Sequence, residues 1–421
     1  MSVTDASAVS GPPGGPVRFI GQDQEFWRIV LRGGVLLMFT LGIYRFWLAT
    51  DVRRFLWANT EIDGRSLEYD GSAVELLRGF LVAIALILPI YTVFFITVLD
   101  FGAYGTLMTL GAVLVLIFLS QYGIYLARRY RLTRTVFRGL RFHQTGSALH
   151  YSICAVWWWG LTVLTLGFAY PFTRAALERF KMRNTWFGDL QGRFEGKGSY
   201  LFVRGCLMWL AVLVPSLITL FSVLSINWTR VTAATRGGGD VMARIERVSP
   251  GFSDTIVFAL MMAVVCVILI AALLPAFHAL VMRWWISGLR FGEIAAVSHL
   301  RTRDVYVAYL RFIGWMLLFA LMIAVGIFFA LLFIGFLFDG GQSQASEIVI
   351  VVMMVGFYVV SALGAMTLYQ QVVMLTVWRL TADTTELVGD KTALGRVHAS
   401  TEGASTPLGE GIADVLNIGG I

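Results

Sequence analysis

Six long apolar runs set the pattern of this chain: residues 76–99, 103–126, 201–226, 255–281, 306–338 and 348–377. Each exceeds the roughly 20 residues that an α-helix needs to cross a hydrocarbon core. In lipid a segment must satisfy its own backbone hydrogen bonds, and a helix does so. The runs therefore predict membrane-spanning helices. Pro89, Pro215 and Pro275 fall inside them and predict kinks. Two further apolar segments are less simple. Residues 33–48 are short and carry Arg45; residues 151–170 carry Trp157, Trp158 and Trp159 and stop before Pro171.

The polar intervals between the runs repeat. An Arg, an apolar partner and a Gly turn precede a helix at Arg18-Phe19-Ile20-Gly21 and again at Arg65-Ser66-Leu67 with Gly71. The element returns at Arg141-Phe142 with Gly146, at Arg193-Phe194 with Gly198, and at Gly288-Leu289-Arg290-Phe291. A longer unit runs from Thr40-Leu41-Gly42 through Arg54-Phe55 to Asn59-Thr60, and from Thr165-Leu166-Gly167 through Arg179-Phe180 to Asn184-Thr185. The copies keep the same order, so the internal repeats are parallel.

If equivalent elements share a membrane face, the six long runs form three helical hairpins. The segments 33–48 and 151–170 then leave and return on one face, as re-entrant or interfacial elements. The expected architecture is an all-α polytopic membrane bundle of about six transmembrane helices with two such segments. Its expected divisions are a leader at 1–16, membrane repeats at 17–142 and 143–290, a third hairpin at 291–380 and a flexible tail at 381–421. Charge supports this plan, since all but four of the 33 Lys and Arg residues fall on one side, the exceptions being Arg230, Arg236, Arg244 and Arg247. Basic loops stay cytoplasmic, which predicts that both termini are cytoplasmic.

Composition narrows the class. The chain is 57% hydrophobic and 14% charged with mean hydropathy +0.75, where a soluble domain carries about 25% charged residues. The net charge of +7 comes from residues that flank apolar runs. It points to anionic lipid headgroups and topology control, not to nucleic acid. Cys154, Cys206 and Cys266 lie in apolar segments far apart and predict neither disulfides nor a metal site.

No catalytic constellation stands out, and the expectation is a protein that is not an enzyme and needs no cofactor or metal. The histidines form no ligand pattern, and Gly196-Lys197-Gly198-Ser199 lacks the upstream spacing of a phosphate loop. Arg45 is the most unusual charge, because a centrally placed Arg costs at least ~2.5 kcal/mol on insertion scales. It either snorkels to the headgroups or joins Tyr44, Trp47 and Arg53 in an anion or headgroup site. Arg54, Arg128, Arg129 and Arg183 are the further candidate headgroup contacts, interleaved with aromatic residues that suit the interface. Asn59, Thr60, Gly64, Asn184 and Thr185 read as turn-formers that bond nearby backbone.

The run Phe39-Thr40-Leu41-Gly42-Ile43-Tyr44-Arg45-Phe46-Trp47, then Arg53-Arg54-Phe55, Asn59-Thr60, Asp63-Gly64 and Glu68-Tyr69-Asp70-Gly71, resembles the YjgN family of bacterial inner-membrane proteins. The likeness is strongest over 17–81 and returns at 139–206, where Pro171-Phe172 replaces Arg45-Phe46. That family is of unknown function, so the resemblance implies a multi-pass inner-membrane address and no reaction. Two functions remain. One is a non-catalytic scaffold or regulator that binds the bilayer, its anionic phospholipid, or a membrane-protein partner. The other is a channel or facilitator with the re-entrant segments lining a path.

Overall fold

Apolar runs become helices, and the short polar intervals between them pair as strands. The computed structural model describes residues 17–100, 102–235, 240–338, 344–389, 397–398, 411–412 and 415–416. The leader expected at 1–16 and most of the tail expected at 381–421 lie outside the described residues.

Five consecutive modules share one plan: a strand, a helical excursion and a returning strand. The first is β1 (Val17–Phe19), α1 (Asp23–Phe39), α2 (Arg45–Ala58) and β2 (Thr60–Ile62). The second is β3 (Arg65–Tyr69), α3 (Ala73–Asp100), α4 (Gly102–Thr133) and β4 (Thr135–Phe137). The third is β5 (Leu140–Gln144), α5 (Ala148–Leu164), α6 (Tyr170–Arg183) and β6 (Thr185–Phe187). The fourth runs from β7 (Leu190–Phe194) through α7 (Gly198–Leu224), α8 (Trp228–Thr235), α9 (Val241–Val248) and α10 (Phe252–Ser287) to β8 (Leu289–Phe291). The fifth runs from β9 (Ile294–Ser298) through α11 (Thr302–Leu337) and α12 (Gln344–Leu368). A π-helical turn (Tyr369–Met374) then leads to α13 (Leu375–Asp383) and β10 (Thr385–Val388).

The ten strands form one antiparallel meander in chain order. Inside each module the two strands pair in equivalent register: Phe19 opposite Thr60, Tyr69 opposite Thr135, Gln144 opposite Thr185, Phe194 opposite Leu289 and Ser298 opposite Thr385. The next N–H always donates to the residue before the returning strand. Ile20 bonds Asn59 O, Asp70 bonds Arg134 O, Thr145 bonds Asn184 O, Glu195 bonds Gly288 O and His299 bonds Thr384 O, all at 2.8–2.9 Å. Modules are joined by two-residue turns, two of them Asp63-Gly64 and Arg138-Gly139. All four of these residues have positive φ, as type I′ hairpin turns require. The helical class stands, and inside it lies a sheet whose strands of three to five residues are too short for period-two alternation to declare itself. The element at 288–291, read from sequence as a start of a repeat, is a returning strand; the outgoing strand of the fifth module is β9.

Pairing places both ends of each excursion at the same sheet. The helices α3, α4, α7, α10, α11 and α12 are long and apolar enough to cross a membrane, so they cross as three out-and-back hairpins. Their outward faces are apolar, with Leu207 and Phe336 largely exposed, which lipid accounts for. The helices α1, α2, α5 and α6, with 17, 14, 17 and 14 residues, reach only about 21–26 Å at 1.5 Å per residue. They turn back before crossing. Both bends are built alike: Leu41 and Leu166 adopt φ 50°, followed by Gly42 at 89° and Gly167 at 90°. Thr40 Oγ1 donates to Leu36 O and accepts from Tyr44 N–H at 3.0 Å; Thr165 Oγ1 donates to Leu161 O and accepts from Ala169 N–H at 3.0 Å. The tips are apolar and bare, with Leu41 93% and Leu164 81% exposed. These bends fall in the two segments expected as re-entrant or interfacial.

The chain falls into two compact units, Met1–Gly198 with Met282–Ile421, and Ser199–Val281. In the first, Phe26, Val30, Leu56 and Leu375 form a core joining α1, α2 and α13, and Tyr125, Tyr151, Ala155 and Leu177 a second one. Ile412 is buried against Ala83 and Ile87 of α3. In the second unit Ile226, Val231 and Ile245 pack beneath α8 and α9, and Asp240 caps α9 by accepting from Met242 and Ala243 N–H.

Candidate functional site

Polar side chains concentrate where helices enter the sheet, and most of them recur from module to module. Six positions before every returning strand stands an arginine: Arg54, Arg129, Arg179, Arg283 and Arg379. Arg54 donates to Gly71 O at 2.9 Å, Arg179 to Gly196 O at 3.0 Å, and Arg129 to Gly146 O. Arg379 donates to Gly21 O at 3.0 Å, so the last helix grips the first module. Arg283 instead reaches Thr302 Oγ1 at 3.2 Å, and in its module Leu300 stands where the others carry glycine. The glycine is needed for space. A Cβ on Gly21, Gly71 or Gly196 would lie 2.4–2.6 Å from the ring of Phe19, Tyr69 or Phe194.

A second set seals the helix ends. Thr60, Thr135, Thr185 and Thr385 each donate to the carbonyl four residues back, at 2.6–2.9 Å. Asn59 and Asn184 do likewise through Nδ2, to Phe55 O and Phe180 O. These bonds satisfy terminal carbonyls that a helix otherwise leaves open. The threonine oxygens then accept from a preceding module or from the far end of the chain: Thr135 from Trp57 Nε1 at 3.0 Å, Thr185 from Arg128 at 2.8 Å, and Thr60 from Trp378 Nε1 at 3.0 Å. Gly64 holds φ +73° in its turn.

The arginines singled out from sequence do not converge in one place. Arg53 is buried and donates to Tyr69 Oη at 3.2 Å. Arg128 reaches Gln144 Oε1 at 3.2 Å as well as Thr185. Arg183 is exposed, 6.0 Å from the Phe180 ring centre. Arg45 begins α2 at the bent end of its hairpin, its guanidinium 4.3 Å from the Phe80 ring centre and 5.0 Å from that of Phe46. Beside it Tyr44 stacks on Trp47 at 6.1 Å. Eight residues separate Arg45 from Arg53, about 12 Å along a helix, and the two face different partners.

One polar cluster escaped the sequence reading. Glu178 is 4% exposed; it accepts from Lys181 Nζ and, at 3.2 Å, from Trp285 Nε1. Burial opposes its charge, yet the Lys181 ammonium and the Arg128 guanidinium outweigh burial and hold its carboxyl below the usual range. The available signal was the Glu-x-x-Lys spacing on α6, which puts both groups on one helix face. Among the described residues no group of His, Cys, Asp and Glu is arranged to hold a metal ion.

The family described as "Bacterial protein of unknown function (DUF898)" matches residues 15–415. The inner membrane protein YjgN of Escherichia coli O157:H7 is 28% identical over 141 residues, covering 33% of this chain and 32% of that protein. YjgN of Escherichia coli strain K12 is 24% identical over 140 residues, with the same shares. The aligned part thus spans about a third of the length of these relatives. No solved structure matches. With six helices fit to cross a bilayer and a family match over nearly its whole length, this chain belongs to the DUF898 family of bacterial proteins, to which the YjgN inner-membrane proteins are similar.

Proposed function

We propose that this multi-pass inner-membrane protein is a non-catalytic scaffold that binds membrane lipid and holds it, or a membrane-protein partner, against a rigid cytoplasmic sheet. The observation that carries this reading is how the polar side chains are used. The arginines, threonines and asparagines at the helix ends bond to neighbouring modules and to helix carbonyls, and the Glu178 cluster is closed by its own partners. A transport path or a reaction centre would leave such groups facing a cavity. What the protein offers outward is apolar helix face and the two bare hairpin tips, which enter one leaflet from the sheet side.

The sheet side is the cytoplasmic one in this reading, because it gathers the arginines and such residues are retained inside. The test is purification of the intact chain from native membranes, followed by mass spectrometry of retained lipid and protein. Enrichment of anionic phospholipid, or of a stoichiometric membrane protein, is the expected result. A lipid profile equal to that of the bulk membrane with no partner refutes the reading. The re-entrant hairpins favour one competing function, a channel or facilitator, since such segments line pathways in channels. Proteoliposomes that pass ions or small solutes above protein-free controls would establish it.

A further inference from the structure

An apolar groove of about 310 Å³ opens between the re-entrant α1 and the spanning α11 and α12. Trp27, Leu31 and Val35 line it from α1, and Trp315, Leu318 and Met322 from α11. Two glycines make room for it. At Gly34 the α1 backbone faces α12, where a Cβ would lie 3.0 Å from Thr367 Oγ1. At Gly364 the Phe319 ring occupies the side-chain space, 2.2 Å from where a Cβ would stand. Because α1 runs outward from the sheet and turns back before crossing, the groove lies in the leaflet on the sheet side.

Two arginines continue the groove-lining helix faces toward the sheet. Arg28 shares a helix stripe with Leu31 and Val35, and Arg311 one with Trp315 and Leu318, at spacings of three, four and seven residues that align on a helix face. Both are exposed, and among the described residues neither makes an ion pair or hydrogen bond. The neighbouring Arg32 is already engaged by Asp51. Trp27 and Trp315 line the groove beside these arginines, and indoles favour the boundary between hydrocarbon and headgroup. Hydrocarbon-sized space, indoles beside it and two uncommitted guanidinium groups match the chemistry of one ligand, an acyl chain ending in an anionic headgroup.

We propose that this groove binds an anionic phospholipid of the sheet-side leaflet, one acyl chain lying along Leu31, Val35 and Met322 and the phosphate meeting Arg28 and Arg311. This rests on the lipid-binding half of the proposed function and gives it a place. A second membrane protein seated there would need the groove to take side chains; the lone cationic pair at a hydrocarbon slot suits a headgroup better, because each Lys or Arg near the surface favours anionic lipid.

The test uses the full chain in mixed micelles holding equal amounts of phosphatidylglycerol and phosphatidylcholine with the same acyl chains, read by native mass spectrometry. Wild-type protein retains phosphatidylglycerol preferentially. The double variant Arg28→Gln/Arg311→Gln loses about thirtyfold in that preference, as two surface cations contribute. Val35→Trp fills the slot and reduces retention of both lipids, with an unchanged melting profile confirming the fold. Wild-type preference that survives both variants overturns the site while leaving lipid binding elsewhere intact. Equal retention of the two lipids by wild type overturns the site and the lipid-binding reading together.

Discussion

Replacing Lys181 by methionine tests whether the buried charge cluster of α6 is a closed unit. The Lys181 and Glu178 side chains are 14% and 5% exposed, so solvent screens them little. At an effective dielectric constant of about 20, unit charges about 4 Å apart attract by about 4 kcal/mol. Desolvation of the two ions cancels most of that, and the net worth of such a pair lies near zero. Deleting one partner is different, because a charge is then left buried, at about 3–5 kcal/mol. Arg128 and Trp285 Nε1 stay near Glu178, which places the expected loss at the lower end, about 3 kcal/mol. The double variant Glu178→Leu/Lys181→Met removes both charges and recovers part of the loss, since Arg128 and Trp285 Nε1 then lack their carboxylate. Thermal unfolding in detergent, followed by tryptophan fluorescence for wild type, both single variants and the double, gives the comparison. A Lys181→Met protein as stable as wild type, or a double variant that loses the sum of the single losses, refutes the reasoning.

The same cluster sets an acid limb. Because the folded-state pKa of Glu178 lies below its ordinary value of 4.5, its ionisation stabilises the fold above that pH, and the contribution fades as pH falls through the folded value. Glu178→Gln therefore flattens the decline in melting temperature as the pH falls below 4.5. Arg379→Gln weakens the grip of α13 on Gly21 and Asp23. It costs about 1–2 kcal/mol, a charge-assisted bond discounted because Asp23 is exposed, and it is read as faster hydrogen exchange in β1. Gly167→Val forces a β-branched residue to φ 90°. The price is about 1–3 kcal/mol, detectable as a lower melting temperature with no change in Glu178→Gln behaviour. Single cysteines at Ser199 and Ser225, beside opposite ends of α7, label from opposite faces of sealed vesicles; labelling from one face refutes the crossing.

Local pattern carried much of this fold. The apolar runs announced the six crossing helices, because lipid leaves a long uncharged segment no alternative to a helix. The charge asymmetry around them placed the joints on one side. The Thr-Leu-Gly bends were visible as repeated residues, and so were the Arg and Gly elements, although not their geometry. Strands of three to five residues leave no periodicity to read, and each pairs along one edge with a residue far away in sequence, as Tyr69 does with Thr135.

The candidate arginines show the same boundary from the side of chemistry. Sequence alone marked Arg54 and Arg129 as cations near an interface, where headgroup contact and structural anchoring look identical. Only the folded backbone brings Gly71 and Gly146 to them, at separations of 17 residues, and reveals the four glycine clamps, the last being Arg379 reaching back 358 residues to Gly21. Glu178 was legible as an acid near Lys181, but its burial depends on Trp285, 107 residues on. What the sequence by itself determined was the medium, since this follows from transfer free energies that add residue by residue. The partnership of strands, clamps and buried charges was decided by tertiary structure, because a hydrogen bond depends on where its distant partner lies.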